Sequence, residues 1–163
     1  MMGMRHRKGF TLLELVVTVT VLAVVTTIAI PSFVDVIRNN RLTTQANDFI
    51  GTLRFARAEA IKRGERVDVV ANASVGTNEW GGGWRVVVAS SAEVLRQHAA
   101  LEAGNTLDST IQNASTYQFL PGGDASPSDT LELCDSRTGE TGRGIVITAI
   151  GRTTLSNPAP TCD

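Results

Sequence analysis

Histidine and cysteine are scarce in this 163-residue chain, with two of each: His6, His98, Cys134 and Cys162. Nucleophilic catalysis needs a base beside the nucleophile, and beyond the first nine residues His98 is the one imidazole, in a segment that reads as a strand. No pair of His or Cys stands at metal-ligand spacing, and two cysteines cannot close a zinc site. The glycine-rich stretch from 76 to 84 has no Gly-Lys-Ser/Thr, so a phosphate loop is not supported. Asp124, Asp129 and Asp135 lack the spacing of a calcium loop and read as solvated surface. The chain has neither an internal repeat nor a low-complexity segment. These absences leave no enzyme, no cofactor and no metal as the expectation.

A surplus of positive charge is missing too. The net charge is -1, and without Arg5, Arg7 and Lys8 twelve bases face sixteen acids. Residues 35 to 66 hold seven bases and four acids, whereas 67 to 163 hold five bases and eleven acids. An acidic outer domain repels polyphosphate, which weighs against general nucleic-acid binding.

What the sequence does have is one long apolar run. Leu15 to Ile30 carries no charge, and a helix counted from Phe10 to Pro31 reaches about 30 Å, the hydrocarbon thickness of a bilayer. Arg5, Arg7 and Lys8 precede it with no acid, so residues 1–9 face the cytoplasm and residue 32 onward lies outside. A secretory signal peptide, cut after Thr27-Ile28-Ala29, and a plain single-span anchor share those features. Neither accounts for Glu14, a carboxylate inside the run that costs on the order of 3 kcal/mol in a membrane unless paired, protonated or shielded by protein.

Basic leader, Gly9, then Phe10-Thr11-Leu12-Leu13-Glu14 and an unbroken apolar stretch together resemble the prepilin signal of type IV pilins and type II secretion pseudopilins. That resemblance implies cleavage after Gly9 by a prepilin peptidase, N-methylation of Phe10, and pairing of Glu14 with the Phe10 amine of a neighbouring subunit during assembly. Pro31 falls where many type IVa pilins carry a helix-breaking proline.

Beyond Pro31 the apolar positions Leu42, Ala46, Phe49, Leu53, Ala56 and Ala60 step by four and three, one stripe of a helix. Arg41, Gln45, Asp48, Arg54, Arg57 and Lys62 lie on other faces, and Gly64 after Lys62 and Arg63 is a stop. The pattern predicts one helix over 10–63 whose stripe is core, with a kink or local melting at Pro31. Downstream the period changes to two. Strands are expected at 66–70, 84–88, 94–98, 115–120, 131–134 and 145–150, with Gly81-Gly82-Gly83 allowing a tight approach and loops at 121–130 and 135–144. Cys134 and Cys162 both fall on the side the span delivers to an oxidising compartment. There they read as a disulfide stabilising the head by roughly 3.5 kcal/mol, against two unpaired buried thiols.

The expected fold class is α+β and pilin-like: leader 1–9, transmembrane and assembly half-helix 10–31, amphipathic half-helix 32–63, β-rich periplasmic head 64–163. Asn40-Arg41-Leu42, Ala56-Arg57-Ala58-Glu59-Ala60-Ile61, Trp80 with Gly83-Trp84-Arg85-Val86, Leu133-Cys134, Gly151-Arg152 and Cys162 are similar to the GspH/FimT/FimU group. This implies a minor pilin of a type IV pilus that primes assembly or forms the tip, with a type II secretion pseudopilin H as alternative. Implied partners are the prepilin peptidase, the inner membrane and other minor pilins or pseudopilins. Some FimT proteins bind DNA through Gly-Arg-x-Arg. Here Arg152 is the candidate DNA contact, but Thr153-Thr154 follow it and the second arginine is absent, so DNA is not an expected partner.

Overall fold

The structure is a computed structural model that describes residues 10–72, 78–111 and 114–162; the side chains of Ile28, Pro31 and Ser32 also fall outside the description. Helix α1 (Leu12–Arg63) is followed by β1 (Val67–Ala71), β2 (Trp84–Val88), β3 (Val94–His98), β4 (Thr106–Ser109), β5 (Thr116–Phe119), β6 (Ala125–Ser126), β7 (Asp129–Cys134), β8 (Arg143–Ile147) and β9 (Thr153–Leu155). The chain divides into two units, Met1–Asn39 and Asn40–Asp163.

Within the first unit, the described side chains of α1 are exposed and mostly apolar; Leu12, Leu22 and Ile30 are each more than half exposed. Its threonines satisfy their own hydroxyls: Thr18 donates to the Leu15 carbonyl (2.8 Å), Thr20 to Val16 (2.7 Å), Thr26 to Ala23 (2.9 Å) and Thr27 to Val24 (2.7 Å). Each such hydroxyl can enter apolar surroundings without a stranded donor. The helical backbone continues through residue 31, so the local melting expected at Pro31 does not occur. Among the described residues no helix is long and apolar enough to cross a membrane; the expected span of 10–31 includes Ile28 and Pro31, whose side chains lie outside them.

In the second unit the stripe of α1 is the seam of the core. Leu42, Ala46, Phe49, Leu53, Ala56 and Ala60 are buried, the first two at 1% exposure and the last four at 0%. The sheets are antiparallel, one ordered β3-β2-β1-β5-β6 and the other β4-β7-β8-β9. Alternation fixes which side of each strand faces the helix: Trp84, Val86 and Val88 of β2 are buried, as are Leu131 and Leu133 of β7, while the residues between them are less so. Phe49 stands edge-on to Trp80 (5.3 Å between centroids) and to Trp84 (4.8 Å), a geometry that matches ring edge to ring face. Trp80 stacks on Tyr117 at 4.9 Å and Trp84 on His98 at 4.1 Å. His98 thus has a packing role, and its Nδ1 lies 2.7 Å from the Ala99 carbonyl.

The glycine run before β2 performs the tight approach. Gly83 has φ +87°, and a Cβ there would stand 2.5 Å from the His98 carbonyl oxygen, so only glycine admits the strand after it. Trp80 N–H donates to Leu107 and Gly83 N–H to Trp80 in the same turn. Residues 73–77, which precede this turn, lie outside the described residues.

Gln45, on another face than the stripe, is also buried, and its amide oxygen accepts from Asn105 at 2.6 Å. Expectations for the head are corrected at Asp129 and in the loops. Asp129 is not solvated surface: it opens β7 at 7% exposure and accepts hydrogen bonds from Tyr117 Oη, Ser109 Oγ and Thr110 Oγ1. The stretches 121–130 and 135–144 are not loops throughout, since β6 and the starts of β7 and β8 fall in them; conversely the strand expected over 145–150 ends at Ile147. There Gly151, at φ +71°, donates to the Thr148 carbonyl and turns the chain into β9.

Candidate functional site: the helix start and the head seam

Gly9 lies outside the described residues, so its role in cleavage is not visible. Phe10 precedes α1 and is 82% exposed. Thr11 is the residue before the first helical one, and its Oγ1 accepts the backbone N–H of Glu14 at 3.2 Å. Thr11-x-x-Glu14 therefore has the spacing of a capping box, and Glu14 stands in the first turn, where a carboxylate is favoured by the exposed N–H groups. A carboxylate at this position suits a helix start. The charge-in-an-apolar-run argument alone does not reveal this local role, although the Thr-x-x-Glu spacing is legible.

At the other end of the chain, Cys134 and Cys162 are joined, with Cα atoms 5.6 Å apart. The tail is also zipped to the segment before β8: Cys162 N–H donates to Glu140 (2.9 Å), Gly139 to Cys162 (2.7 Å) and Gly142 to Pro160 (2.9 Å). Gly142 is held to glycine by this closure, for a Cβ would meet the Leu133 carbonyl oxygen at 2.6 Å and Cys162 Sγ at 2.9 Å.

Arg152 is exposed, in the hairpin turn before β9. It shares a cavity of about 460 Å³ with Arg54 and Arg57 of α1. Arg57 Nε donates to the Gly123 carbonyl (2.8 Å) and its second guanidinium nitrogen to Ile150 (3.0 Å); Arg54 donates to Thr153 (3.2 Å). These bonds tie the helix to two turns of the head, and the sequence, which places both arginines off the apolar stripe, does not reveal them. Further along the helix Glu59 accepts from Lys62 and Arg63, and Arg63 also bonds Glu93. The Arg63 and Lys62 hydrogen bonds hold the Glu59 carboxyl below its usual range.

Elsewhere in the head, burial pushes Asp108 above the usual carboxylate range, helped by the charges of Glu79 and Glu132 and opposed by hydrogen bonds from Thr106 and the Glu79 backbone. Burial and the bond to Asp129 keep the Tyr117 phenol protonated at any physiological pH. Among the described residues no group of three His, Cys, Asp or Glu is placed to hold a metal ion.

Residues 45–151 match the family model Type II transport protein GspH, and residues 4–30 match the prokaryotic N-terminal methylation motif. No curated protein matches the chain by sequence. Among solved structures it is similar to the type IV minor pilin FimU of Pseudomonas aeruginosa, with TM-score 0.66 and 24% identity over 77% of this chain and 98% of that one. It is also similar to the minor pseudopilin EpsH of the Vibrio cholerae type 2 secretion system, with TM-score 0.56 and 18% identity over 72% of this chain and 98% of that one. At those identities the structural likeness speaks for the fold. The family match covers more than half of the chain and includes the seam of α1 from Ala46 onward, both tryptophans and the turn at Gly151, and it identifies the chain as a member of the Type II transport protein GspH family that carries the N-terminal methylation motif.

Proposed function

We propose that this chain is a FimT/FimU-like minor pilin of a type IV pilus, a structural subunit and not an enzyme. In this reading residues 1–9 are removed by a prepilin peptidase acting after Gly9, and Phe10 is N-methylated. Residues 10–31 hold the subunit in the inner membrane and later pack in the filament. Residues 32–63 carry the amphipathic half-helix, and 64–163 form the periplasmic head. The observation that carries it is the contrast along α1. Before residue 40 its described apolar side chains are exposed, while its threonine hydroxyls are already satisfied. Such a surface calls for lipid or other apolar helices. Glu14 at the helix start would then neutralise the amine of a neighbour's Phe10 in a low-dielectric bundle, where mispairing is costly.

Mass spectrometry of the protein recovered from the cell tests the processing: a methylated Phe10 terminus is expected, and Met1 or Ile30 as first residue overturns it. Deleting the chain then separates pilus from secretion. Loss of surface pili with protein secretion intact is expected; the reverse assigns the chain to a type II system. DNA uptake is not favoured, because Gly151-Arg152 lacks its second arginine and the head is acidic.

A further inference from the structure

Two cavities of about 460 and 470 Å³ adjoin along the seam of α1 and β9, sharing Arg54 and Thr154. Together they form a groove running from Asn47 to Ile61 of the helix, about 20 Å at 1.5 Å per residue. β9 is the edge strand of its sheet, so one wall of the groove is a strand without an outer neighbour in the sheet. Gly51 leaves the opposite wall open: a Cβ there would meet nothing within 4 Å. Ile61, Ile150 and Leu155, respectively 52%, 64% and 46% exposed, are aliphatic groups of the groove and of the turn beside it.

The charge here runs against that of the head. The segment 67–163 has eleven acids and five bases, yet the three guanidiniums on this groove, Arg54, Arg57 and Arg152, have no carboxylate within ion-pair distance among the described residues. Arg54 and Arg57 spend donors on backbone carbonyls, which fixes their position without neutralising them. The Arg152 side chain makes no hydrogen bond among the described residues; its backbone N–H donates to Thr148 Oγ1 and its carbonyl accepts from the Thr148 N–H and hydroxyl. Fixed, unneutralised guanidiniums favour carboxylates, which they can grip by two parallel bonds.

We infer that this groove docks an extended acidic segment, about six residues long at 3.3 Å each, from a neighbouring subunit, its carboxylates on Arg54 and Arg152 and its aliphatic side chains against Ile61 and Leu155. The inference rests on the pilin reading above, which supplies the neighbour. A peptide fits better than a nucleic-acid backbone, because the aliphatic groups between the arginines have nothing to offer a phosphate chain and the acidic remainder of the head repels one.

The test uses the full chain in detergent and a fluorescein-labelled peptide alternating Glu and Leu, its Gln-Leu counterpart and a labelled DNA duplex, read by fluorescence anisotropy. The Glu peptide is expected to bind about tenfold tighter than the Gln peptide, and Arg152→Ala and Arg54→Gln each to weaken it several-fold while the fold, by circular dichroism, stays intact. Equal binding of the two peptides, or DNA binding more tightly than the Glu peptide through the same arginines, overturns the inference. In cells, Arg152→Glu should be depleted from sheared filaments. If Glu14→Ala is depleted and Arg152→Glu is not, the groove inference fails while the pilin reading stands; if Glu14→Ala is not depleted, it is the pilin reading that fails.

Discussion

The indole N–H of Trp84 donates to the hydroxyl of Thr52 at 3.1 Å, inside the core and across the interface of α1 with β2. The same hydroxyl donates to the Asp48 carbonyl one turn earlier on the helix (3.0 Å), so one threonine serves the buried indole and a helix carbonyl. Thr52→Val keeps the shape and strands the indole donor, and should lower stability by about 1 to 3 kcal/mol. Thr52→Ser, which retains the hydroxyl, should cost less. Urea unfolding of the two variants checks it; equal midpoints would mean the bond carries no weight.

Phe49 is fully buried and meets both tryptophans. Phe49→Ala is expected to cost about 3 to 5 kcal/mol and to alter tryptophan fluorescence. A loss below about 1 kcal/mol would show that the cluster repacks.

The bond between Cys134 and Cys162 closes a loop with a sequence separation of 28. Cys162→Ser should remove roughly 3.5 kcal/mol on the chain-entropy model. Two alkylatable thiols in protein recovered from the cell envelope, without reductant, would contradict it.

Asp108 is held above its usual range by burial and by Glu79 and Glu132. Its folded form therefore binds protons more readily than its unfolded form, and folding stability from this group falls as pH rises above the unfolded value of 3.8. Asp108→Asn should stabilise the head at pH 7 by less than about 1 kcal/mol, the group being only half-buried, and the gain should vanish below pH 4. A gain that is the same at both pH values would assign the effect to packing.

The helix-start position of Glu14 and the pairing proposed for it can be separated by substitution. Glu14→Gln keeps a side chain able to reach back to the helix start but carries no charge. Glu14→Ala removes both. If assembly depends on the charge, both variants should be made and cleaved at normal levels, and both should be depleted from sheared filaments; breaking such a buried pair typically costs about 3 to 5 kcal/mol. Depletion of the alanine variant alone, by immunoblot of filament against membrane, would point instead to the cap.

Long-period features were legible and short ones were not. The helix over 10–63 and its buried stripe follow from spacing, because six apolar positions repeat on one face. β2 and β7 follow from alternation. β4 offers one apolar residue, Leu107, between Thr106 and Asp108, and β9 reads Thr153-Thr154-Leu155; their pairing comes from neighbours β7 and β8, which no local pattern reveals. Asp129 looks like a surface acid because its three hydroxyl donors lie 12 to 20 residues away. The groove at β9 is hidden for the same reason: Arg54, Arg57 and Arg152 are brought together by tertiary folding.

The closed tail also sets how far the head can lengthen if it is pulled. When a head unravels under load, every residue adds up to about 3.5 Å of contour length, except those inside a covalent loop. With Cys134 joined to Cys162, roughly 100 Å of slack is withheld, and the oxidised head is a shorter tether than its reduced form.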